Sequence, residues 1–176
     1  MKIRTRMCTS LDGYISNADG LPVQLSDPEF DPEAYGFVEM QGQCDAVLMG
    51  HTTLMPALEV ADQWPWTDVD VFVLASERPA GTPDDVVIES DPQRLLERVR
   101  EANAGGDVHL IGGPTTIETY RKLGAIDEFG LIILPIFAGE GMQLTPAIQT
   151  DERLELTSQR TLPGGAVETL YEGPGA

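Results

Sequence analysis

Short apolar runs without polar alternation, such as "AVLM" at 46–49 and "VFVLA" at 71–75, limit the fold most sharply. A strand with one wet face alternates apolar and polar residues, whereas a strand covered on both faces reads as a continuous apolar run. Helix-like segments separate these runs, and strands that alternate with helices build a largely parallel sheet with helices packed on it. The expected class is therefore α/β: a mixed, mostly parallel central sheet with flanking helices.

The rest of the chain fits that plan. "MKIRTRMCTS" alternates, with Ile3, Thr5, Met7 and Thr9 on one side and Arg4, Arg6 and Cys8 on the other. "LDGY" turns, and residues 17–31 read as a loop rich in Asp, Pro and Gly. "DPEAYGFVEMQGQC" reads as a helix capped by Asp31, with Pro32 first and Ala34, Phe37, Val38 and Gln41 inward. "DAVLMG" is a strand, "HTTLMPAL" a helical start interrupted by Pro56, and "VADQWPWTDVD" a loop holding Trp64 and Trp66. "VFVLAS" and "VVIE" are strands. Asp91 and Pro92 open the clearest helix, whose inner face is Leu95, Leu96 and Val99. "DVHLI" is a strand, followed by a Gly-Gly turn and a helix that buries Ile117, Tyr120 and Leu123. "DEFGLIILPIF" is a long strand and "AGEGMQL" a loop. "RLELTSQRTLPGGAVETLYE" forms an antiparallel C-terminal hairpin turning at "LPGGA".

Length and charge narrow the function. A chain of 176 residues suits one domain, here 1–176, and 41 % hydrophobic residues suffice for a core. Twenty-nine acids against 11 bases give a formal net charge of −18. That excludes nucleic acid and anionic membrane surfaces as general partners, since phosphates need clustered Lys and Arg. Cys8 and Cys44 have no metal-ligand spacing and read as free thiols. No stretch approaches the ~20 apolar residues of a membrane span. "MKIRTRMCTS" is too short and polar for a signal peptide, so the expected location is cytoplasmic.

In open sheets of this class, ligands bind beyond the carboxyl ends of strands. Three such ends carry candidate residues. "VLMGHTT" offers Gly50, His51, Thr52 and Thr53; "VFVLASER" offers Ser76 and Arg78; "LIGGPTT" offers Gly112, Gly113, Pro114, Thr115 and Thr116. The two glycines allow close approach to bare backbone, and the helix start that follows presents unpaired N–H groups. Each junction is also a common structural turn. Neither the Rossmann fingerprint nor the phosphate-loop motif is present.

The order "SLDGYIS", "DAVLMGHTT", "VFVLAS" and "VHLIGGPTTIETYRKLGAIDEFGLIILPIFAGEGMQL" resembles the dihydrofolate reductase-like superfamily. The similarity is to its branch holding the reductase domain of bacterial riboflavin biosynthesis and its stand-alone relatives, over residues 2 to 172. Asp127-Glu128, Pro135 and the Gly139-x-Gly141 loop are the most specific part. The resemblance implies a three-layer fold and an NAD(P)H-dependent oxidoreductase. Gly50, Thr52, Thr53 and residues 112–116 would then hold an NADPH diphosphate, and Ser76 and Arg78 the adenosine 2′-phosphate. Relatives usually carry Arg where this chain has His51, a poorer partner for a phosphate dianion, so NADH is an open alternative.

The chemistry is less legible. Asp12 would face the nicotinamide half of the cleft by resemblance, or it forms the turn before Gly13. Glu140 would line the active site by resemblance, or it is a solvated loop acid. The carboxylate that binds pterin in dihydrofolate reductases would fall near Ala34, where there is no acid. His109, inside a strand, reads as a hydrogen-bonded structural histidine. The substrate is expected to be a small heterocycle or another C=N or C=O compound. A non-catalytic dinucleotide module and a flavin or deazaflavin redox protein are the alternatives. Relatives are commonly homodimers, and a homodimer is expected here.

Overall fold

Eight strands form one sheet: β1 (Ile3–Thr9), β2 (Cys44–Gly50), β3 (Asp70–Leu74), β4 (Val87–Glu89), β5 (Asp107–Gly112), β6 (Glu128–Ile133), β7 (Glu155–Thr161) and β8 (Val167–Glu172). The structure is a computed structural model that describes residues 1–60, 64–144 and 152–173. Residues 61–63, within the loop expected to carry the tryptophans, lie outside the described residues. Strand order is β4-β3-β2-β5-β1-β6-β8-β7. The first six neighbours in that order are parallel, and β8 and β7 join antiparallel, as the C-terminal hairpin requires. No helix among the described residues is long and apolar enough to cross a membrane.

The apolar runs divide between two buried faces. Leu48, Phe72, Val108 and Leu110 pack beneath α3 (Pro92–Ala102) and α4 (Pro114–Lys122), against Leu95, Val99, Ile117 and Tyr120. Val47, Met49, Val71 and Val73 face the other way, with Leu54 of α2 (His51–Val60). Truncating any of these leucines to Ala would cost about 2–5 kcal/mol through lost burial and a residual cavity. Asp91 caps α3 as expected: its carboxylate accepts from the Gln93 and Arg94 amides at 2.9 and 3.1 Å.

The helix expected from Asp31 forms only in its second half, as α1 (Phe37–Gln41). Asp31 caps a turn instead, accepting from the Glu33 amide at 2.9 Å. Gly36 then takes a left-handed conformation, φ 76°. Ala34, Val38 and Gln41 are exposed, and the buried face is Tyr35 and Met40. The cause is a buried cation. The Arg6 guanidinium donates to the Gly36 carbonyl at 2.7 Å and to the Tyr35 carbonyl. That takes up the Tyr35 acceptor that a continuous helix would use.

Arg6 is reached across the sheet by Glu168 of β8, which also pairs with Arg160 of β7. Both Arg6 and Glu168 are buried, at 8 % and 3 % exposure. β6 lies between them, and Gly130 stands opposite Arg6 in register. An added Cβ at Gly130 would come 3.1 Å from both Arg6 Cγ and Leu170 Cδ2, so the glycine lets the side chain cross. Breaking such a pair by removing one partner costs about 3–5 kcal/mol, mostly by stranding the other charge.

The expected long strand to Phe137 ends at Ile133. Pro135 cannot donate to a ladder, although the chain still follows β1 through the Leu134 amide on the Thr9 carbonyl at 2.8 Å.

Gly50, at the end of β2, faces the buried Thr116 of α4, and a Cβ there would fall well inside contact distance of Thr116 Oγ1. Gly50→Ala is expected to destabilise by about 1–3 kcal/mol through overpacking. Adding Thr116→Ala should recover most of that loss in urea unfolding. Additive losses in the double variant would contradict this contact.

Candidate active site

The carboxyl ends of β3, β2, β5 and β1 stand side by side along one edge of the sheet. Three strand spacings of about 4.8 Å span about 14 Å, room for an extended two-part ligand. A cleft of about 320 Å³ opens there. Its walls come from β1 (Met7, Cys8), the loop after it (Ile15, Ser16, Gln24), α1 (Phe37, Gln41), α2 (Thr52, Thr53), β5 and the turn after it (His109, Ile111, Gly113), and Trp66 and Met142.

Most of the residues anticipated at the strand ends lie on this edge. Thr52 and Thr53, in the first turn of α2, line the cleft, and His51 is exposed as the first residue of that helix. Gly113 lines the cleft as the N-cap of α4, which no side chain caps. A Cβ there would come 3.7 Å from Met142 Sδ, narrowing the passage between them. Gly112 has φ 118°, which a residue with a side chain resists, and its peptide bond to Gly113 is cis. Thr115 is exposed, whereas Pro114 and Thr116 are buried. Gly50 and Thr116 fill each other's space and do not line the cleft. Ser76 and Arg78 are exposed beyond β3. Arg78 donates to the Pro83 and Val86 carbonyls at 2.8 and 2.6 Å, which fixes its guanidinium against the 79–86 loop.

The two acids are placed differently. Asp12 accepts from the Ala138 and Gly139 amides at 3.0 and 2.8 Å and from the Ser10 hydroxyl at 2.5 Å. The Ser10 hydroxyl and the two amides hold its carboxyl down at about 2, so it is ionised at neutral pH and unable to donate a proton. It ties the "LDGY" turn to the "AGEGMQL" loop and does not line the cleft. Glu140 is exposed in that loop and is also off the lining; Met142, two residues on, is the residue that reaches it. Met142 is held there by its amide on Ser16 Oγ at 2.7 Å and by the Ile15 amide on its carbonyl at 2.8 Å. Among the described residues, the cleft lining thus contains no carboxylate.

Several wall residues carried no expectation of this kind. Arg6 was readable only as one of three residues on the same side of β1; its burial depends on a glycine in β6 and an acid in β8, far away in sequence. Trp66, from the loop expected to hold both tryptophans, lines the cleft and packs edge-on against Trp64, with ring centroids 5.0 Å apart. Cys8 is on the wall but inert, because burial pushes its thiol up to about 12.

His109 departs from expectation most. It is 5 % exposed, and neither ring nitrogen has a hydrogen-bond partner among the described residues. Burial drives its pKa down to about 4, with the Arg6 and Arg4 charges adding to the shift. The Arg6 backbone, short of hydrogen-bond geometry, opposes this only in part. The imidazole is therefore neutral at pH 7.

The sign of the linkage follows. Between the ordinary value of 6.5 and about 4, unfolded His109 binds a proton that folded His109 does not, so stability falls as pH falls through that window. At about 1.4 kcal/mol per unit the loss approaches about 3 kcal/mol. Asp12 and Glu118, held at about 2, lose most of their contribution below their ordinary values of 3.8 and 4.5. Urea midpoints at pH 7 and 4.5 should fall markedly for the native protein and far less for His109→Leu. Equal falls would contradict a buried neutral imidazole.

Comparison with known proteins agrees with this geometry. The family described as the RibD C-terminal domain matches residues 1–167. The Bacillus subtilis (strain 168) protein YyaP is 28 % identical over 96 % of this chain and 93 % of its own. A solved putative riboflavin biosynthesis protein from Shewanella sp. PV-4 superposes with a TM-score of 0.81 at 26 % identity, covering 98 % of this chain and 99 % of that one. Dihydrofolate reductase from Enterococcus faecalis, solved with NADP(H), shares the fold with a TM-score of 0.70 at 14 % identity, over 98 % and 96 % of the two chains. With an α/β sheet of dihydrofolate reductase type and a family match over nearly its whole length, the chain belongs to the RibD C-terminal domain family.

Proposed function

We propose that this protein is an NAD(P)H-dependent reductase that passes hydride to a small, uncharged, planar substrate. The observation that carries this reading is the row of strand ends. β3, β2, β5 and β1 present, in that order, an exposed Arg78, the Thr52–Thr53 helix start, the side-chain-free Gly113 and an apolar cleft. The Enterococcus dihydrofolate reductase, which shares the fold, was solved with NADP(H).

The residues present fit a dinucleotide. Thr52, Thr53 and the backbone at Gly113 to Thr116 would hold the diphosphate, where two helix N-termini favour negative charge despite the net −18. Ser76 and Arg78 would meet the adenosine end. His51, exposed at the start of α2, lies on the same side. The reduced nicotinamide supplies the hydride. The protein contributes alignment and a dry wall through Ile111, Phe37, Trp66 and Met142. Neither Asp12 nor Glu140 lines the cleft, so neither is assigned as an acid.

The reading includes a homodimer. All seven residues of the edge strand β7 are exposed, and a bare edge of that length invites a covering partner. Light scattering at micromolar concentration should give twice the chain mass; a monomer mass would remove this part.

NADPH and NADH titrations, read by tryptophan quenching and by calorimetry, test the main reading. NADPH should bind at least tenfold more tightly than NADH. Arg78→Ala should lose about tenfold for NADPH, as a charge-assisted hydrogen bond predicts, and leave NADH within about twofold. Failure of the native protein to bind either nucleotide would overturn the reading.

A further inference from the structure

The last three strands of the sheet sort their charges onto one face. Register places Phe129, Leu131 and Ile133 of β6 on the same side as Val167, Thr169 and Tyr171 of β8. On β7 that side continues through Leu156, Gln159 and Thr161. None of these residues is charged, and none is buried. The other side of the same strands holds Glu128, Glu155, Arg160, Glu168 and Glu172, and it is the side that α1 approaches through Gly36, Glu39 and Met40. A sheet with one wet face ordinarily puts its charges there, so the order is inverted here. The uncharged side also runs on past β6. Leu134 turns into the core, whereas Pro135 and Phe137 are exposed, Phe137 at 78 %. Leu11 lies beside them, its amide on the Ile136 carbonyl at 2.9 Å, and is itself exposed. Six residues of strand by three strands make about 20 by 14 Å of flat area even without that end. Exposed patches of a few hundred Å² mark interaction sites.

We infer that this uncharged side seats a second copy of the chain, packed face to face about a two-fold axis close to Thr169. Charge decides the occupant. Each copy carries a net −18, so two copies approach most closely where neither brings an acid. A cationic partner would be drawn instead to the acids that cover the rest of the chain. A two-fold contact sets the same patch against itself, which an uncharged patch tolerates and an acidic one does not. Two sheets packed in this way lie about 10 Å apart with their side chains interdigitated. β8 is the middle strand of the patch and Thr169 is near its centre, so residue 169 of one copy meets residue 169 of the other. The choice of a second copy rests on the homodimer reading; the face it takes, in place of the bare β7 edge, goes beyond that reading. Leu11 and Phe137 flank the Asp12 clamp on the Ala138 and Gly139 amides, so the second copy stands beside the loop that brings Met142 to the cleft.

The test is sedimentation of the intact protein at micromolar concentration. Native chains should sediment at twice 19.1 kDa. Thr169→Asp and Thr169→Lys should each raise the dimer dissociation constant at least about a hundredfold, because like charges then meet at the axis. An equimolar mixture of the two variants should recover the dimer, since an acid then faces a base. Each variant changes one part-exposed side chain, and near-ultraviolet dichroism of the tryptophans reports its folding. A native sample mixed from methyl-labelled and unlabelled chains should show magnetisation passing between copies, from the Leu131 and Val167 methyls to the Tyr171 ring. That measurement decides the matter even if the variants fail to fold. Variants that stay dimeric, a mixture that stays monomeric, or contacts between copies confined to β7 overturn this inference and leave the homodimer standing. A native monomer overturns both. Neither result touches the reductase reading, which the nucleotide titrations test separately.

Discussion

A single buried guanidinium organises this molecule. Arg6 stands on the inner face of a central strand, where a cation is costly unless it is paired. Glu168 supplies the counter-charge from β8, two strands away, and the Tyr35 and Gly36 carbonyls accept from its terminal nitrogens. Its guanidinium carbon also lies 4.9 Å from the Phe37 ring centroid. The C-terminal hairpin, the central sheet and the 31–41 segment thus meet at one charge. An apolar residue at position 6 would leave that segment free to continue as a helix and would remove the link to β8.

The consequences run directly into the cleft. Phe37 and Gln41 are wall residues because Arg6 fixes where α1 begins. On the opposite side Asp12 performs the corresponding task, clamping the 138–139 amides so that Met142 reaches over the turn. An ionised residue on each side therefore holds the wall in place. The cleft left between them is lined by aromatic and apolar side chains and flanked by helix starts.

How much of this the sequence shows depends on the range of the interaction. The α/β class, the strand–helix alternation, the Asp91 cap and the C-terminal hairpin all rest on neighbours within a few residues, and all were legible. The edge that carries the cleft was legible for the same reason, since Thr52, Thr53 and Gly113 mark junctions between consecutive elements. The helix at 31–44 was misjudged because its competitor, Arg6, lies some thirty residues away. Asp12 and Glu140 drew attention as acids, yet the first serves backbone amides and the second faces solvent, distinctions that only the folded loop makes. His109 looked like a satisfied core residue; no local pattern reveals that its strand neighbours leave both nitrogens unpaired.

The most direct measurement is a crystal structure of the protein soaked or grown with NADPH. The account predicts the diphosphate against the starts of α2 and α4, the adenosine end beside Arg78, and the nicotinamide over Ile111 facing Phe37 and Trp66. A dinucleotide bound at another edge of the sheet, or with its nicotinamide turned away from this cleft, would contradict it.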